Sequence, residues 1–160
     1  MVRERIRRIG TRGFSLAELL VVVAITGVLA AVTTPLLVSY WKAATLKAGA
    51  QELATVLNGA RQLAIKDNTS VCVVQSGTQV RYLKGSSPCS SGTVWTGPGT
   101  DASGWFTLSN SVQVTSTTAN VVFAYLGNAT TAGAYTVTNP ADSKTLTVTV
   151  ASSGRVSIGP

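Results

Sequence analysis

The hydrophobic pattern divides the sequence into three stretches with different periods, and the first is an uninterrupted apolar run. From Leu19 to Val38, twenty consecutive residues carry no charge. At about 1.5 Å rise per residue, a helix of this length spans about 30 Å, the thickness of the hydrocarbon core of a bilayer. We therefore predict a membrane-spanning helix here.

The second stretch has apolar residues at helical spacing. They recur every three or four residues and so share one face of a helix: Leu46, Ala50, Leu53, Leu57, Ala60 and Ala64. Polar residues such as Lys47 and Gln51 fall on the other faces. We predict one helix from Phe14 to Lys66, about 80 Å long, that ends at Asp67-Asn68 and packs its second half on a sheet.

From Ser70 onward the period changes to two, as in half-buried strands. Gly, Asn, Ser and Pro separate the apolar alternations, and the segment 85–104 is predicted to be a surface loop. The predicted strands are Val71–Gln75, Thr78–Lys84, Gly104–Leu108, Val112–Thr115, Asn120–Leu126, Ala134–Thr138, Lys144–Val150 and Arg155–Ile158.

Charge is concentrated before the apolar run. Residues 1–13 hold five arginines and one glutamate, whereas the other 147 residues hold eight basic and five acidic residues. The net charge of +7 is thus mainly a property of the first thirteen residues, and a basic body that coats nucleic acid all over is not supported. By the positive-inside rule these arginines stay in the cytoplasm and the rest of the chain faces outward.

The chain contains two cysteines, Cys72 and Cys89. On the outer side of a membrane, such a pair suggests one disulfide, and the alternative is two unrelated thiols. A bridge would close a short loop and contribute about 3 kcal/mol of stability.

The residues at the start of the apolar run need a specific explanation. A cleaved secretory signal, with a cut near Ala30-Ala31, usually has an apolar core of only about 7–15 residues. A plain membrane anchor would also account for the run. Neither explains the stretch 13–18, in which a glutamate follows a glycine and a phenylalanine. An ionisable group within a membrane helix costs about 2.5–3.5 kcal/mol at the centre and less near the end, so it usually has a partner.

Residues 13–35 resemble the class III signal of type IV pilins and type II secretion pseudopilins. That signal has a basic leader ending in glycine, then an aromatic residue, then glutamate as fifth residue of the mature chain; Gly13, Phe14 and Glu18 fit these places. Gly27 and Pro35 also fall where this family commonly has glycine and proline. Pro35 removes one helical hydrogen bond and is predicted to kink or loosen the helix.

The resemblance implies a processing and assembly mechanism. A prepilin peptidase would cut between Gly13 and Phe14 and N-methylate the new amino group of Phe14. Glu18 would then neutralise the N-terminal ammonium of a neighbouring subunit, since an unpaired carboxylate is costly in low dielectric and a paired one is tolerable. The partners implied are other pilins or pseudopilins in a filament, the prepilin peptidase and an inner-membrane assembly platform.

The β-rich segment 68–160, which we call the head, and the helix half before it are similar to the GspH/FimT family of minor pseudopilins. The alternative is that the chain belongs to another pilin branch, such as a major subunit. The resemblance lies in residues 52–54 and 60–68, then Val71, Val122-Phe123, Gly127 and Ser153-Gly154-Arg155-Val156.

Enzymatic chemistry has little support in the composition. Histidine is absent, which removes the commonest general base and the commonest metal ligand. No P-loop or dinucleotide fingerprint separates a strand from a helix. We predict no catalytic residue, no metal and no cofactor.

DNA binding is the alternative function, because some FimT-like minor pilins are implicated in DNA uptake through a basic GRxR-like motif. Here Gly154-Arg155-Val156-Ser157 has serine in place of the second arginine. Arg81, Lys84, Lys144 and Arg155 would form a patch if the fold gathered them. The simpler interpretation is scattered solubilising charge, since a few cations give only weak, salt-sensitive binding.

The predicted architecture is an α+β type IV pilin fold, a long N-terminal helix packed on an antiparallel sheet. Its parts are a cleaved leader (1–13), a transmembrane and assembly helix (14–38), an amphipathic helix half (39–67) and a β-rich periplasmic head (68–160). We predict a structural subunit, single-pass in the bacterial inner membrane with a cytoplasmic N-terminus, that enters a periplasmic pseudopilus or an extracellular pilus.

Overall fold

The computed structural model describes residues 13–160 except 86, 88 and 118. The chain divides into two compact units, Met1–Ser39 and Tyr40–Pro160. The predicted leader, residues 1–12 in particular, lies outside the described residues.

Helix α1 runs from Leu16 to Lys66 and is assigned as helix through Pro35. Its C-terminus is closed by Asn68, whose φ of 48° is in the left-handed region. The Asn68 N–H donates to the Ile65 carbonyl at 3.3 Å, and the Thr69 N–H donates to the Ala64 carbonyl at 3.1 Å. These two bonds form a Schellman motif, which satisfies the last carbonyls of the helix. The predicted end at Asp67-Asn68 is confirmed.

All strand pairs described in the head are antiparallel, and the strands form two sheets. The first sheet contains β1 (Val71–Ser76), β2 (Gln79–Lys84), β3 (Thr93–Val94), β4 (Trp105–Thr107), β6 (Val122–Phe123) and β7 (Ala129–Thr131). Its order is β3-β2-β1-β6-β7, and β4 pairs separately with β2. The second sheet contains β5 (Gln113–Ser116), β8 (Gly133–Thr138), β9 (Thr145–Val150) and β10 (Val156–Gly159), in the order β10-β9-β8-β5.

One core joins the second half of α1 to both sheets. The predicted helical stripe is confirmed, because all six of its residues are buried, and Gly49 and Leu63 are buried beside them. A Cβ at Gly49 would come within 2.7 Å of the Val112 side chain, so the missing side chain allows the segment before β5 to approach the helix. Valines from both sheets complete the core around Phe123 and Tyr135.

The predicted strands agree with the structure to within one residue at each end, except in three places. The predicted strand 120–126 is only Val122–Phe123, because residues 124–128 form a turn closed by the Gly127 N–H and the Ala124 N–H. Strand β7 after this turn was not predicted, and β3 lies inside the predicted loop 85–104. Both missed strands have two or three residues, too few for an alternating pattern to be recognised.

Candidate assembly segment and head-domain contacts

The predicted processing residues lie directly before α1, and the predicted assembly residue lies in its first turn. Gly13 and Phe14 precede the helix, and the Phe14 side chain is 81% exposed. Glu18 lies in the first turn, where the positive end of the helix macrodipole favours a carboxylate. No basic side chain among the described residues forms a salt bridge with Glu18.

The first part of α1 exposes its apolar side chains on every face. Fifteen large hydrophobic residues from Leu16 to Trp41 are more than 40% exposed. The hydroxyls of Thr26, Thr33 and Thr34 donate to backbone carbonyls three or four residues earlier, at 2.7–3.4 Å. A helix whose backbone and hydroxyl groups are satisfied internally is suited to lipid or to packing against other apolar helices.

Length and composition make α1 suitable to cross a membrane, and it is the one such helix among the described residues. Its most apolar 18-residue window has a mean hydropathy of 2.4.

Cys72 and Cys89 are joined by a disulfide, with their Cα atoms 5.6 Å apart. Cys72 lies on β1, and Cys89 lies in the connection that follows β2. The bridge packs with Leu83 and Val122 in a second, smaller apolar cluster. The disulfide therefore fastens this connection to the outer face of the first sheet.

Two of the four candidate cations, Arg81 and Lys84, lie on β2, and each has a local partner. The Arg81 guanidinium lies 4.4 Å from the centre of the Trp105 ring, a cation–π contact. The Lys84 ammonium lies 2.5 Å from the Asp67 carboxylate. A hydrogen bond from Lys84 holds the pKa of Asp67 below its usual value, and the pair ties the end of α1 to β2.

The other two cations flank a strand of the second sheet. Lys144 immediately precedes β9, whereas Arg155 lies in the turn that follows it, so the length of β9 separates them. Lys144 is 3.8 Å from Asp142, a loose pair within its own turn. Two of the candidate cations thus lie on the first sheet, and the other two flank a strand of the second sheet at its opposite ends.

Arg61 has a role that the sequence motif did not reveal. Its Nε donates to the Gly127 carbonyl at 2.7 Å, which joins α1 to the turn between β6 and β7. Gly127 and Gly154 have φ values of 82° and 79°, and a Cβ at Gly154 would collide with the Gly127 carbonyl oxygen. Arg61, Gly127 and Gly154, which belong to three separate segments of the sequence resemblance, therefore meet in one contact. The two glycines were the available signal in the sequence, because glycine readily adopts a left-handed backbone.

Three aromatic residues line a cleft between α1 and the first sheet, and the sequence alone did not indicate that they lie together. Tyr82 lies 5.5 Å from Trp95 and 4.9 Å from Phe106, measured between ring centroids. The Tyr82 hydroxyl donates to the Val56 carbonyl at 2.6 Å, and burial raises the pKa of this phenol. The cleft has a volume of about 570 Å³. Because these residues lie on β2, β4 and the connection between β2 and β4, only the fold brings them together.

Among the described residues, no group of three or more His, Cys, Asp or Glu side chains could hold a metal ion. The two cysteines are already bonded to each other.

Comparisons with known proteins identify both parts of the chain. Residues 9–34 match the prokaryotic N-terminal methylation motif, and residues 49–154 match type II transport protein GspH. No curated protein sequence matches the chain significantly.

Solved structures of two minor subunits share the fold. The minor pseudopilin EpsH from the type 2 secretion system of Vibrio cholerae has a TM-score of 0.53 and 14% identity, over 71% of this chain and 94% of EpsH. The type IV minor pilin FimU of Pseudomonas aeruginosa has a TM-score of 0.50 and 13% identity, over 72% of this chain and 93% of FimU. At these identities the likeness concerns the fold, and it confirms the predicted pilin-like α+β architecture.

The family match extends over most of the chain and covers the buried half of α1, the disulfide and the Arg61 contact. Its members are pilin-type structural subunits rather than enzymes, and an N-terminal methylation motif accompanies it here. The chain belongs to the type II transport protein GspH family.

Proposed function

We propose that this protein is a minor subunit of a type II secretion pseudopilus or a type IV pilus, stored in the inner membrane and assembled through the first part of α1. The observation that carries the proposal is an exposed apolar helix with a single acidic residue, Glu18, in its first turn. Such a surface is stable only in lipid or among other apolar helices.

Processing is proposed to precede assembly. A prepilin peptidase cuts between Gly13 and Phe14 and methylates the Phe14 amino group. The match to the methylation motif supports this step, as does the exposure of Phe14 ahead of the helix. Cleavage creates a positive amino terminus four residues before Glu18.

Glu18 is proposed to select the position of the next subunit. It is the one charged residue between Gly13 and Lys42. In a filament core of packed apolar helices, its carboxylate pairs with the amino terminus of a neighbouring subunit, which removes the cost of two isolated charges in low dielectric.

The cellular arrangement follows from the charge asymmetry. The arginine-rich residues 1–13 stay in the cytoplasm, and the head lies in the periplasm. The disulfide between Cys72 and Cys89 supports an oxidising compartment for the head. DNA uptake is not proposed, since the four candidate cations lie on different sheets and at opposite ends of β9.

Intact mass and N-terminal sequencing of the protein from native membranes test the proposal. The expected product begins at methylated Phe14. The variant Gly13→Val should block cleavage, because a branched side chain replaces glycine at the cut site. Gly27→Val, a matched change inside the helix at a position with open space for a Cβ, should be cut normally. A product that begins near Val32, or an intact Met1, would contradict the proposal.

A further inference from the structure

A groove of about 840 Å³ lies between α1 and the free end of the second sheet. We call it the β10 groove. Leu46 on α1, Leu146 on β9 and Ile158 on β10 form its apolar floor. Ile158 is 41% exposed, although it pairs with the fully buried Val148. Ile158 therefore points to the α1 side of the sheet but is left uncovered at the edge.

Strand β10 is the edge of its sheet, and β9 is its one strand partner among the described residues. The Ala151 N–H donates to the Arg155 carbonyl, and Ser157 and Gly159 pair with Thr149 and Thr147. In an antiparallel pair, hydrogen-bonded and non-bonded positions alternate. The N–H and C=O groups of Val156 and Ile158 consequently point away from β9, towards the open side.

An extended segment placed beside β10 would both pair with the free backbone groups of this edge strand and cover the exposed Ile158. Its backbone would bond to the outward groups of Val156 and Ile158, and alternate side chains would enter the groove on the face of Ile158. An added strand thus explains the exposed edge and the exposed Ile158 together, which a single inserted side chain would not.

The charge at the rim indicates what kind of segment fits. Lys47 and Lys144 line the groove, and none of the described residues that line it has an acidic side chain. Asp142 lies 3.8 Å from Lys144, whereas Lys47 forms no salt bridge with a described residue. The groove is complementary to an acidic segment with alternating apolar residues.

A second copy of this chain does not offer such a segment. None of the ten described strands contains Asp or Glu. Glu52 accepts hydrogen bonds from Ser109, Asp67 is paired with Lys84, and Asp101 accepts bonds from its own loop. The acidic residues of the head are thus already engaged or lie outside strands.

From the groove and the free edge, we propose that β10 is extended by an acidic, alternately apolar segment of a different subunit in the same filament. This inference rests on the proposed function, because it assumes neighbouring pilin-type subunits. It adds a head-to-head contact to the packing of the N-terminal helices.

Photo-cross-linking in native cells tests the proposal with the full-length chain. A photoreactive residue at Gln51, which lines the groove, should capture an acidic extended segment of another pilin-type subunit, identified by mass spectrometry. The same residue at Asn58, which does not line the groove, serves as the control. Capture of a second copy of this chain, of lipid or of no filament subunit would overturn the proposal.

Backbone and charge variants of the cross-linking strain distinguish strand addition from non-specific hydrophobic association. Ile158→Pro removes an outward N–H and leaves the bonds to β9, so the adduct should fall about fivefold relative to Ile158→Ala, as expected for one lost hydrogen bond. Lys47→Glu should reduce the adduct similarly, and Lys66→Glu, on the same helix but outside the groove, should not.

An adduct that is unchanged by Ile158→Pro and by Lys47→Glu would overturn the proposal. If Ile158→Pro fails to fold, as judged by its thermal unfolding, the charge variants decide alone. A chain that is cut at Phe14 and enters filaments without this adduct would contradict only the groove assignment. A chain that is never cut would contradict the proposed function.

Discussion

The two halves of α1 are built from similar apolar residues but face different surroundings. Leu29 in the first half is 60% exposed, whereas Leu53 in the second half is fully buried. The second half meets two sheets through one stripe, and the first half has apolar residues on every face. The difference indicates that one helix serves two purposes: its second half stabilises the head, and its first half is available for lipid or other subunits.

The largest expected effect comes from substituting Glu18, the one charged residue in the first half of α1. Glu18→Ala should reduce filament incorporation by roughly 50-fold or more, because a neighbouring amino terminus would be left unpaired in low dielectric. Immunoblotting of sheared filaments measures this, and the melting temperature of the head should not change. Glu52→Ala is the matched control: it removes an acid from the same helix, but one that bonds to Ser109 in the head. Equal incorporation of Glu18→Ala and wild type would show that Glu18 is not needed for docking.

The leucine pair tests the contrast between the two halves directly. Leu53→Ala should lower the free energy of unfolding of the head by about 2–5 kcal/mol, the range for a buried leucine that leaves a cavity. Leu29→Ala should leave it unchanged, since no core surrounds Leu29. Chemical denaturation of the full chain in lipid nanodiscs, followed by tryptophan fluorescence, measures both. If the two changes destabilised the head equally, the proposal that only the second half of α1 stabilises the head would be refuted.

The contact between Arg61, Gly127 and Gly154 should depend on the glycines. Gly154→Ala is expected to destabilise the head by about 3 kcal/mol, because the new Cβ meets the Gly127 carbonyl and the backbone is left-handed. Gly159→Ala is the control, since it has open space and no left-handed φ. Thermal unfolding of the two variants compares them, and similar melting temperatures would argue that the contact can relax.

Tyr135 provides the smallest of these effects and a dependence on pH. Its hydroxyl donates to the Val73 carbonyl and accepts from the Val121 N–H, both at 3.1 Å. Tyr135→Phe leaves two buried polar groups unpaired and should cost about 1–3 kcal/mol. Denaturant titration at neutral pH measures this loss, and a variant as stable as wild type would contradict it.

Burial also raises the pKa of Tyr135 to about 12. The unfolded chain ionises near its usual pKa of about 10. The stability that the neutral Tyr135 phenol contributes is thus fully present below pH 10 and is lost as the pH rises towards 12. Tyr135→Phe should lose less stability than wild type between pH 10 and pH 12, because the buried phenol of Tyr82 is then the one that resists ionisation in the folded state.

The sequence by itself determined the helix, its division at about residue 40 and the family of the protein. These follow from local patterns: an apolar run long enough for a bilayer, a stripe at helical spacing, and the short motif around Gly13, Phe14 and Glu18. Each is readable because the residues that define it are close together in the chain. The longer alternating strands, such as β9, were predicted for the same reason.

Only the tertiary structure decided which distant residues meet. Arg61 contacts Gly127 across 66 positions, and Tyr82, Trp95 and Phe106 come from different elements. Whether the four candidate cations lie together also depends on the fold, and strand order places two of them on β2 of the first sheet and the other two at opposite ends of β9 in the second. Strand β3 is defined by its pairing with the longer β2, and β7 by its pairing with β6, and neither has a recognisable pattern of its own. Pairing, register and edge exposure depend on contacts between segments, which a local pattern does not encode.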